Sequence, residues 1–245
     1  MLNLSDWDAN RLVIQNETET FKEWFNVSRL SWDYLALNPN PMAIQILDAH
    51  PYMINWSMLS GNSEGLNLFK RYDNTEDYYY KLSSNTSLEA IACLKDNPDK
   101  IFWYLLSANP SAIEIIDQHL ALYPRNHIAN KIHWQMLCKN PKAMHILREN
   151  EDIIDWGFLS FNSGAIELLE ANQERINWAG LSSNPQAIHL LTENPDKIHL
   201  YYLCQNPNAE DLIVERMSQI LKDPKCCDVL SANPLIFKSN DYVLK

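Results

Sequence analysis

Residues 176–197 read Ile-Asn-Trp-Ala-Gly-Leu-Ser-Ser-Asn-Pro-Gln-Ala-Ile-His-Leu-Leu-Thr-Glu-Asn-Pro-Asp-Lys, and related copies of this stretch fill most of the 245-residue chain. A fixed period of this length is typical of a solenoid, in which each unit buries its apolar face only against its neighbours. The sequence therefore predicts a repeat protein. Four copies align without a gap because equivalent residues are 22 apart, as in Trp134, Trp156, Trp178 and Leu200, and in Asn140, Asn162, Asn184 and Asn206.

Each unit is predicted to be a pair of short helices. Asn184 followed by Pro185 indicates a helix start, because Asn caps free amides and Pro at the first helical position loses no hydrogen bond. The apolar residues within 187–191 then share one face of a helix about ten residues long, here called helix B. The next Asn-Pro, at Asn194, either starts another helix or forms a type I turn. A short helix A, partly 3₁₀, is favoured through Trp-x-x-Leu-Ser by the capping residues that often precede the Trp: Ser31, Asn55, Asp155 and Asn177.

The repeats are expected to extend from residue 31 to residue 237, as about eight and a half units. Residues 1–30, with Trp24 and Phe25, are expected to cap the first stacking face, and residues 238–245, around Asp241, to form a C-terminal tail. The predicted shape is an elongated rod or arc. The first helix of successive units is marked by what we call the Trp column: Trp32, Trp56, Tyr79, Trp103, Trp134, Trp156, Trp178, Leu200 and Cys227.

Two intervals in this column are longer than 22 residues. Between Trp103 and Trp134 the extra residues predict a loop at 119–131, near Tyr123-Pro124-Arg125-Asn126-His127. Between Leu200 and Cys227 they predict a helix B that continues through Met217. Insertions in repeat proteins map to loops, which often carry the binding function, so 119–131 is a candidate contact surface, as is the run 78–80 of three tyrosines.

A leucine-rich horseshoe is the main alternative fold, because Leu181-Ser182-Ser183-Asn184 imitates part of its core motif. That motif requires further leucines where this chain has Ala179 and Gln186. The Pro after the Asn also removes an amide that a strand ladder would use. We therefore predict an all-α fold, a solenoid of short helix-turn-helix repeats of about 22 residues.

The composition is that of an ordered, acidic protein. A net charge of -11 disfavours a sequence-independent grip on nucleic acid or anionic lipid, and it predicts that any charge-steered partner is basic. The five cysteines show no paired framework, which favours reduced thiols and an intracellular, cytoplasmic location. No membrane-spanning stretch or secretory signal is recognisable, since Asp6 and Asp8 lie where a signal would be basic and then apolar.

The recurring pattern Trp-x-x-Leu-Ser-x-Asn-Pro-x-Ala-Ile-x-Leu-Leu-x-x-Asn-Pro-Asp-Lys-Ile, clearest from Trp178 to Ile198, resembles short tandem repeats of uncharacterised proteins from large DNA viruses. The segments 64–66 and 210–211 depart from its Ala-Ile step. The resemblance implies a viral origin, in host cytoplasm or virion, and an interaction role. It transfers no catalytic residue.

Three motifs that imitate catalytic or metal sites are better explained by the repeat. Gly61-Asn62-Ser63-Glu64-Gly65 matches a hydrolase nucleophile elbow, but no strand is expected before it. The pairs His133/Cys138 and His199/Cys204 offer only two ligands per unit, where structural zinc requires four, and their cysteines replace a recurring Ser. Cys226-Cys227 is interpreted as a chance neighbour pair. No glycine-rich phosphate loop is present, so we expect no cofactor and no metal.

The regular aromatic residues of the Trp column could stack on RNA bases, but they are expected to be core, since Trp and the Leu three residues later face the same stack. The better candidate for a contact surface is the position after the Ile of helix B, which forms a polar ridge of independent contact points; the alternative is that this ridge is simply a solvated helix face. Its members are Gln45, Asn67, Ala92, Glu114, His145, Glu167, His189 and Asp211.

We predict a non-catalytic repeat scaffold that mediates protein–protein interaction, and the ridge residues other than Ala92 are its candidate binding residues. A structural component of a virus particle or other large assembly is an alternative with the same sequence features. More remote alternatives are an RNA-binding helical repeat and a hydrolase, or an enzyme built around Arg125 and His127.

Overall fold

The structure is a computed structural model that describes residues 21–23, 25–68 and 78–237. Within these residues the fold is all-α, as predicted, and the pairing of Phe21 with Phe237 is an isolated bridge. Residues 1–20, Trp24 and the tail at 238–245 lie outside the described part. The A helices of successive units are Trp32–Leu35, Trp56–Leu59, Tyr78–Leu82, Trp103–Leu106, Trp134–Leu137, Trp156–Leu159, Trp178–Ser182, Leu200–Leu203 and Pro224–Leu230. The B helices include Pro41–Ala49, Leu88–Asp96, Ile113–Leu122, Met144–Arg148, Ile166–Glu170, Ile188–Glu193 and Glu210–Glu215.

The helices are linked by single turns of 3₁₀ helix. One further turn of this kind, Val27–Arg29, lies in the N-terminal segment. The others are Pro51–Met53, Pro98–Lys100, Pro110–Ala112, Glu151–Ile153, Ser163–Ala165, Gln173–Arg175, Pro195–Lys197 and Pro234–Ile236. Asn194-Pro195 thus begins a 3₁₀ helix, which lies between the two predicted alternatives. Helix A is capped as expected where Asn55, Asp155 and Asn177 accept the amide three residues on, whereas Ser31 makes no such bond.

Helix B is shorter than predicted. In the unit that begins at Trp178 it spans only Ile188–Glu193, not about ten residues. The Asn184 side chain instead caps a tight turn, because the amide of Gln186 donates to its Oδ1 at 3.0 Å and the turn ends before the α-helix starts. The predicted continuation through Met217 is also wrong. The helix ends at Glu215, and a separate helix, Met217–Ile220, follows after Arg216, whose backbone leaves the α-helical region.

A column of buried asparagines connects the units. Asn184 is typical: while its Oδ1 caps its own unit, its Nδ2 donates to the carbonyls of Ser160 at 3.2 Å and Asn162 at 3.0 Å in the preceding unit. Each side chain therefore satisfies three hydrogen bonds in a fully buried place, where an unpaired amide would cost about 1–3 kcal/mol. The same three bonds recur at Asn38, Asn62, Asn85, Asn109, Asn140, Asn162, Asn206 and Asn233.

The first unit is bonded to the last, so the stack is a closed ring. Asn38 Nδ2 donates to the carbonyls of Ser231 at 3.0 Å and Asn233 at 2.9 Å, in the register that every other unit uses with its predecessor. The amide of Ser31 also donates to Ser231 Oγ at 2.9 Å. The predicted rod or arc is therefore wrong. An open array would leave one stacking face exposed on its first unit and one on its last. Here nine units curve far enough for these two faces to pack on each other.

Helix A lines the inside of this ring. Phe161 and Tyr202 belong to units that are two apart, yet their ring centroids are 5.6 Å from each other. Residues of non-adjacent units can meet in this way only on the concave side of a curved array. Gly180, in the unit between them, makes the contact possible, because a Cβ there would lie 2.7 Å from the Phe161 ring. A second contact of this kind joins Tyr34 to Tyr201 across the last unit.

The core lies between the two layers of helices. The Leu three residues after the Trp column is fully buried in nearly every unit, and burying such a side chain contributes about 1.5–3 kcal/mol. The following Ser links neighbouring units. In one example Ser182 Oγ donates to the Trp178 carbonyl at 2.7 Å and accepts the amide of His199 in the next unit at 2.9 Å.

The described part of the N-terminal segment packs on the last two units. Phe21 stacks between Phe25 and Phe237, at centroid distances of 5.6 and 4.9 Å. The Lys22 amide donates to the Ile236 carbonyl at 2.8 Å, and its ammonium group pairs with Glu210 at 2.5 Å. The reason for expecting a cap, an exposed first stacking face, does not hold in a closed ring. These contacts instead fasten the start of the chain to its end.

Candidate functional site

The predicted ridge lies on the exposed side of helix B in every unit where it is described. Its members are not all independent contact points. In three places a ridge residue pairs with a side chain one helical turn further along helix B of the preceding unit. The pairs are Lys95 with Glu114 at 2.5 Å, Asp117 with His145 at 3.1 Å, and Glu170 with His189 at 2.6 Å. Gln45, Asn67, Glu167 and Asp211 share the same exposed position.

The tryptophans of the Trp column are half-buried and pack against the core. In two of them a basic side chain of the same unit lies over the ring. Arg175 lies 4.0 Å from the Trp156 ring centroid, and Lys197 lies 4.3 Å from that of Trp178. Such cation–π contacts contribute about 0.5–1 kcal/mol at partly exposed sites. These rings therefore serve the fold rather than standing free for base stacking.

The two His/Cys pairs take structural places. His133 Nδ1 caps its helix by accepting the Met136 amide at 3.3 Å. Cys138 and Cys204 are fully buried in the Ser column, and burial raises the pKa of both thiols. Burial also raises the pKa of Cys226 to about 11. Within the part of the chain that the structure describes, no group of three or more His, Cys, Asp or Glu residues is placed to hold a metal ion.

The insertion at 119–131 begins as helix, because the preceding helix B continues to Leu122, and residues 123–131 form the loop. His119 lies 4.2 Å from Trp103 between ring centroids and accepts the Lys131 amide at 3.0 Å. Burial lowers the pKa of His119, and the charge of Lys131 lowers it further. Arg125 forms a two-point ion pair with Asp152 of the next unit, at 2.8 and 2.7 Å.

The contacts of the loop residues hold the insertion in place. His127 Nδ1 accepts the Ala129 amide at 3.0 Å, and its ring packs on Tyr123 at 5.2 Å. Arg125 and His127 are thus engaged with different neighbours. Ser63, the supposed nucleophile, follows Asn62 of the buried column in a turn, and no strand precedes it in the described residues.

An exposed aromatic cluster lies where neighbouring units meet at the N-terminal end of helix A. Tyr80 meets Phe102 of the next unit edge to face at 5.3 Å, and Tyr104 meets His133 of the unit after that at 4.7 Å. Tyr80, Phe102 and Tyr104 remain 39%, 46% and 50% exposed. We call Tyr80, Phe102, Tyr104 and His133 the aromatic rim.

Two of the equivalent junctions elsewhere in the ring are polar, and Tyr201, at the position equivalent to Tyr104, is half-buried. Asn55 Nδ2 donates to Asp33 Oδ1 at 3.0 Å, and Gln135 Nε2 donates to Asp155 Oδ2 at 3.1 Å. The frame therefore accepts hydrogen-bonding pairs in these places, and folding does not require exposed aromatic residues there. Aromatic residues at two successive junctions are typical of a contact surface, because Tyr, Phe and Trp are enriched in protein interfaces.

The sequence reasoning missed the aromatic rim because it followed helix B for the variable surface. The residues on either side of the Trp column carried the signal: aligned over the units, they are Tyr or Phe at 78, 80, 102, 104 and 201 and mostly small or polar elsewhere. Of the three consecutive tyrosines that were singled out, Tyr79 turns into the core and Tyr80 belongs to the rim.

One lysine on the concave face has an unusual environment. Lys139 Nζ lies 4.1 Å from the Phe161 ring centroid and 5.1 Å from that of Phe158. Burial lowers the pKa of Lys139. The two aromatic rings take the place of a counter-ion, because the face of an aromatic ring attracts a cation.

Comparison of the chain with protein-family models, with curated proteins and with solved structures found no match. The fold and the geometry of the site thus carry the functional argument. No helix in the described ranges has the length and apolar character needed to span a membrane.

Proposed function

We propose that this protein is a non-catalytic ring scaffold that binds another protein through the aromatic rim. The observation that carries the proposal is the cluster of three large aromatic side chains, each 39–50% exposed, at two successive junctions between units. Aromatic residues provide large contact area with little loss of side-chain entropy, and they dominate the binding energy of many interfaces.

The rim is held by the frame rather than by a flexible loop. Phe102 and His133 directly precede helix A of their units, and the amides of both donate to a buried Ser of the preceding unit, at 3.1 and 3.0 Å. Tyr104 lies within the helix Trp103–Leu106. A contact surface held in this way loses little conformational entropy on binding, which favours affinity.

The proposal of a scaffold without catalysis is supported by the places of the reactive side chains. Four of the five thiols are buried, and burial raises their pKa, which makes them poor nucleophiles. Arg125 and His127 hold the insertion, as described above. The ridge on helix B remains a second predicted contact surface, supported by its exposure.

Affinity capture with the tagged chain, in extract of the cells that produce it, tests the proposal. We expect Tyr104→Ala to reduce recovery of the partner about tenfold or more, as removal of a central aromatic contact commonly does. The matched control is Tyr52→Ala, because Tyr52 is 84% exposed on a 3₁₀ turn of the first unit, which holds no rim residue. Both variants should keep the wild-type circular dichroism spectrum.

Equal recovery of the partner by wild type and by a Phe102→Ala/Tyr104→Ala double variant would overturn the proposal. The same capture with His145, Glu167 and His189 changed to alanine tests the ridge. If that triple variant alone loses the partner, the contact surface is on helix B and the rim proposal is wrong. If the chain sediments only with large particles, whatever the rim variant, the structural alternative is correct.

A further inference from the structure

The charge of the chain is unevenly distributed around the ring. Residues 78–149, which contain the aromatic rim, have eight Lys and Arg against six Asp and Glu, although the whole chain has 20 against 31. From Gln118 to Arg148 there is no acidic residue at all. The arc that carries the rim is thus weakly basic, and the negative excess of the chain comes from its other residues.

The basic residues of this arc stand next to the rim. Lys100 is two residues before Phe102, and Lys131 is two residues before His133. Both lysines are exposed, and the Lys100 ammonium group lies 4.5 Å from the Tyr79 ring centroid. The equivalent positions of two other units are held by Arg175 and Lys197, which lie over Trp156 and Trp178.

The acidic residues of the arc lie mostly elsewhere. Five of the six are on helix B or at its end, while the sixth, Asp99, is on the 3₁₀ turn Pro98–Lys100 next to Lys100. Two of them are already paired with basic groups of neighbouring units, Glu114 with Lys95 and Asp117 with His145. The rim therefore combines apolar rings with positive charge.

The charge close to the aromatic rim, rather than the net charge of the chain, decides which segment binds there. At physiological ionic strength exposed charges are largely screened beyond about 8 Å, so a small segment docked on the rim senses Lys100 and Lys131 more than the distant acidic units. The net charge of -11, which predicted a basic partner, describes the average surface and not this arc.

We propose that the aromatic rim binds an acidic polypeptide segment that carries at least one aromatic or large aliphatic side chain. This inference rests on the proposed function and specifies its partner. The apolar side chain packs against Tyr104 and Phe102, while carboxylates of the segment pair with Lys100 and Lys131. The complementary charges raise the rate of association and fix the direction of the bound segment.

Fluorescence anisotropy with three labelled probes tests the inference on the full chain. The probes are a ten-residue peptide of alternating Glu and Phe, the same peptide with Lys for Glu, and a single-stranded oligonucleotide. We expect the acidic peptide to bind most tightly, and the Lys100→Glu/Lys131→Glu variant to bind it about tenfold or more weakly. The matched control Arg175→Glu/Lys197→Glu, at the equivalent positions of two other units, should bind it within about twofold of wild type.

The outcomes separate this inference from the proposed function. If Tyr104→Ala weakens peptide binding but the Lys100→Glu/Lys131→Glu variant does not, the rim binds polypeptide without a charge preference, and only the inference is wrong. Failure of the acidic peptide to bind, or equal binding of the lysine peptide or the oligonucleotide, would also overturn it. Concentration-dependent sedimentation of the wild type, lost in the lysine variant, would make the occupant a second copy of this chain and overturn it too.

Discussion

Asn38 in the first unit donates a hydrogen bond of 2.9 Å to the carbonyl of Asn233 in the last unit, although 195 residues separate them. The bond is equivalent to that from Asn184 to Asn162. Because the first and last units interact as any two neighbours do, every unit is internal, and the ring has no terminal unit from which unfolding can begin by fraying.

Closure predicts that Asn38→Ala destabilises the protein as much as Asn184→Ala. Each change removes three buried hydrogen bonds and leaves the Ser carbonyl of the preceding unit without this donor, while the Asn carbonyl keeps the amide three residues on. The free energy of unfolding should fall by about 2–4 kcal/mol. Urea unfolding of both variants measures this quantity. In an open array the first-unit Asn would have no predecessor, so an effect of Asn38→Ala well below that of Asn184→Ala would contradict the ring.

Gly180 is predicted to tolerate no side chain. Alanine there places a Cβ 2.7 Å from the Phe161 ring and pushes that ring away from Tyr202, which should cost about 1–3 kcal/mol of unfolding free energy despite the better helix propensity of Ala. Thermal or urea unfolding measures the loss. The control is Gly61→Ala, whose Cβ would meet its nearest neighbours at 3.4 Å, an ordinary contact distance. A Gly180→Ala variant that is as stable as wild type, or is not rescued by Phe161→Ala, would argue against the clash.

His119 is predicted to make stability depend on pH. Burial lowers its folded-state pKa below the ordinary value of 6.5, so as the pH falls below 6.5 the unfolded chain takes up the proton first and is favoured. The stabilising effect is present above pH 6.5 and is lost as the pH falls through the lower folded-state pKa. We expect His119→Gln to flatten the stability profile from pH 7 to 5. Ile128→Gln, a change at a fully exposed site of the same insertion, should leave the profile unchanged. A profile that is the same in wild type and His119→Gln would contradict this role.

The five thiols are predicted to react at two very different rates. Cys93 is half-buried, whereas Cys138, Cys204, Cys226 and Cys227 are buried with a raised pKa. In the folded protein at neutral pH a colourimetric disulfide reagent should therefore label one thiol quickly and the other four only after unfolding. Cys93→Ser should remove the fast phase. Fast labelling of two or more thiols in the native protein would show that the last two units open readily.

The sequence was sufficient for the parts of the fold that depend on local contacts. The 22-residue register, helix A and the capping role of Asn184 follow from residues within one unit. The Nδ2 bonds of Asn184 were not predictable in this way, because their acceptors are backbone carbonyls of another unit, which any residue could supply. Closure was missed for a similar reason. Curvature depends on small differences in packing, such as that of Phe161 over Gly180, and these accumulate over nine steps.

The candidate site shows the same division. The ridge was predictable as an exposed face, since helical periodicity places it, but the cross-unit pair of His189 with Glu170 depends on the angle between neighbouring helices. The aromatic rim was present in the sequence as Tyr104 and Phe102. It became recognisable only when the structure brought Tyr104 together with His133 and showed polar pairs at two equivalent junctions.

Joining Asn38 to Asn233 also limits how such a protein can change over evolution. A linear array gains or loses a repeat at either end with little penalty. One additional repeat in a ring would change the angle between every pair of neighbours or leave the ring open. We therefore expect insertions to occur within existing repeats, as in the longer stretches at 119–131 and 210–223, which leave the number of repeats unchanged.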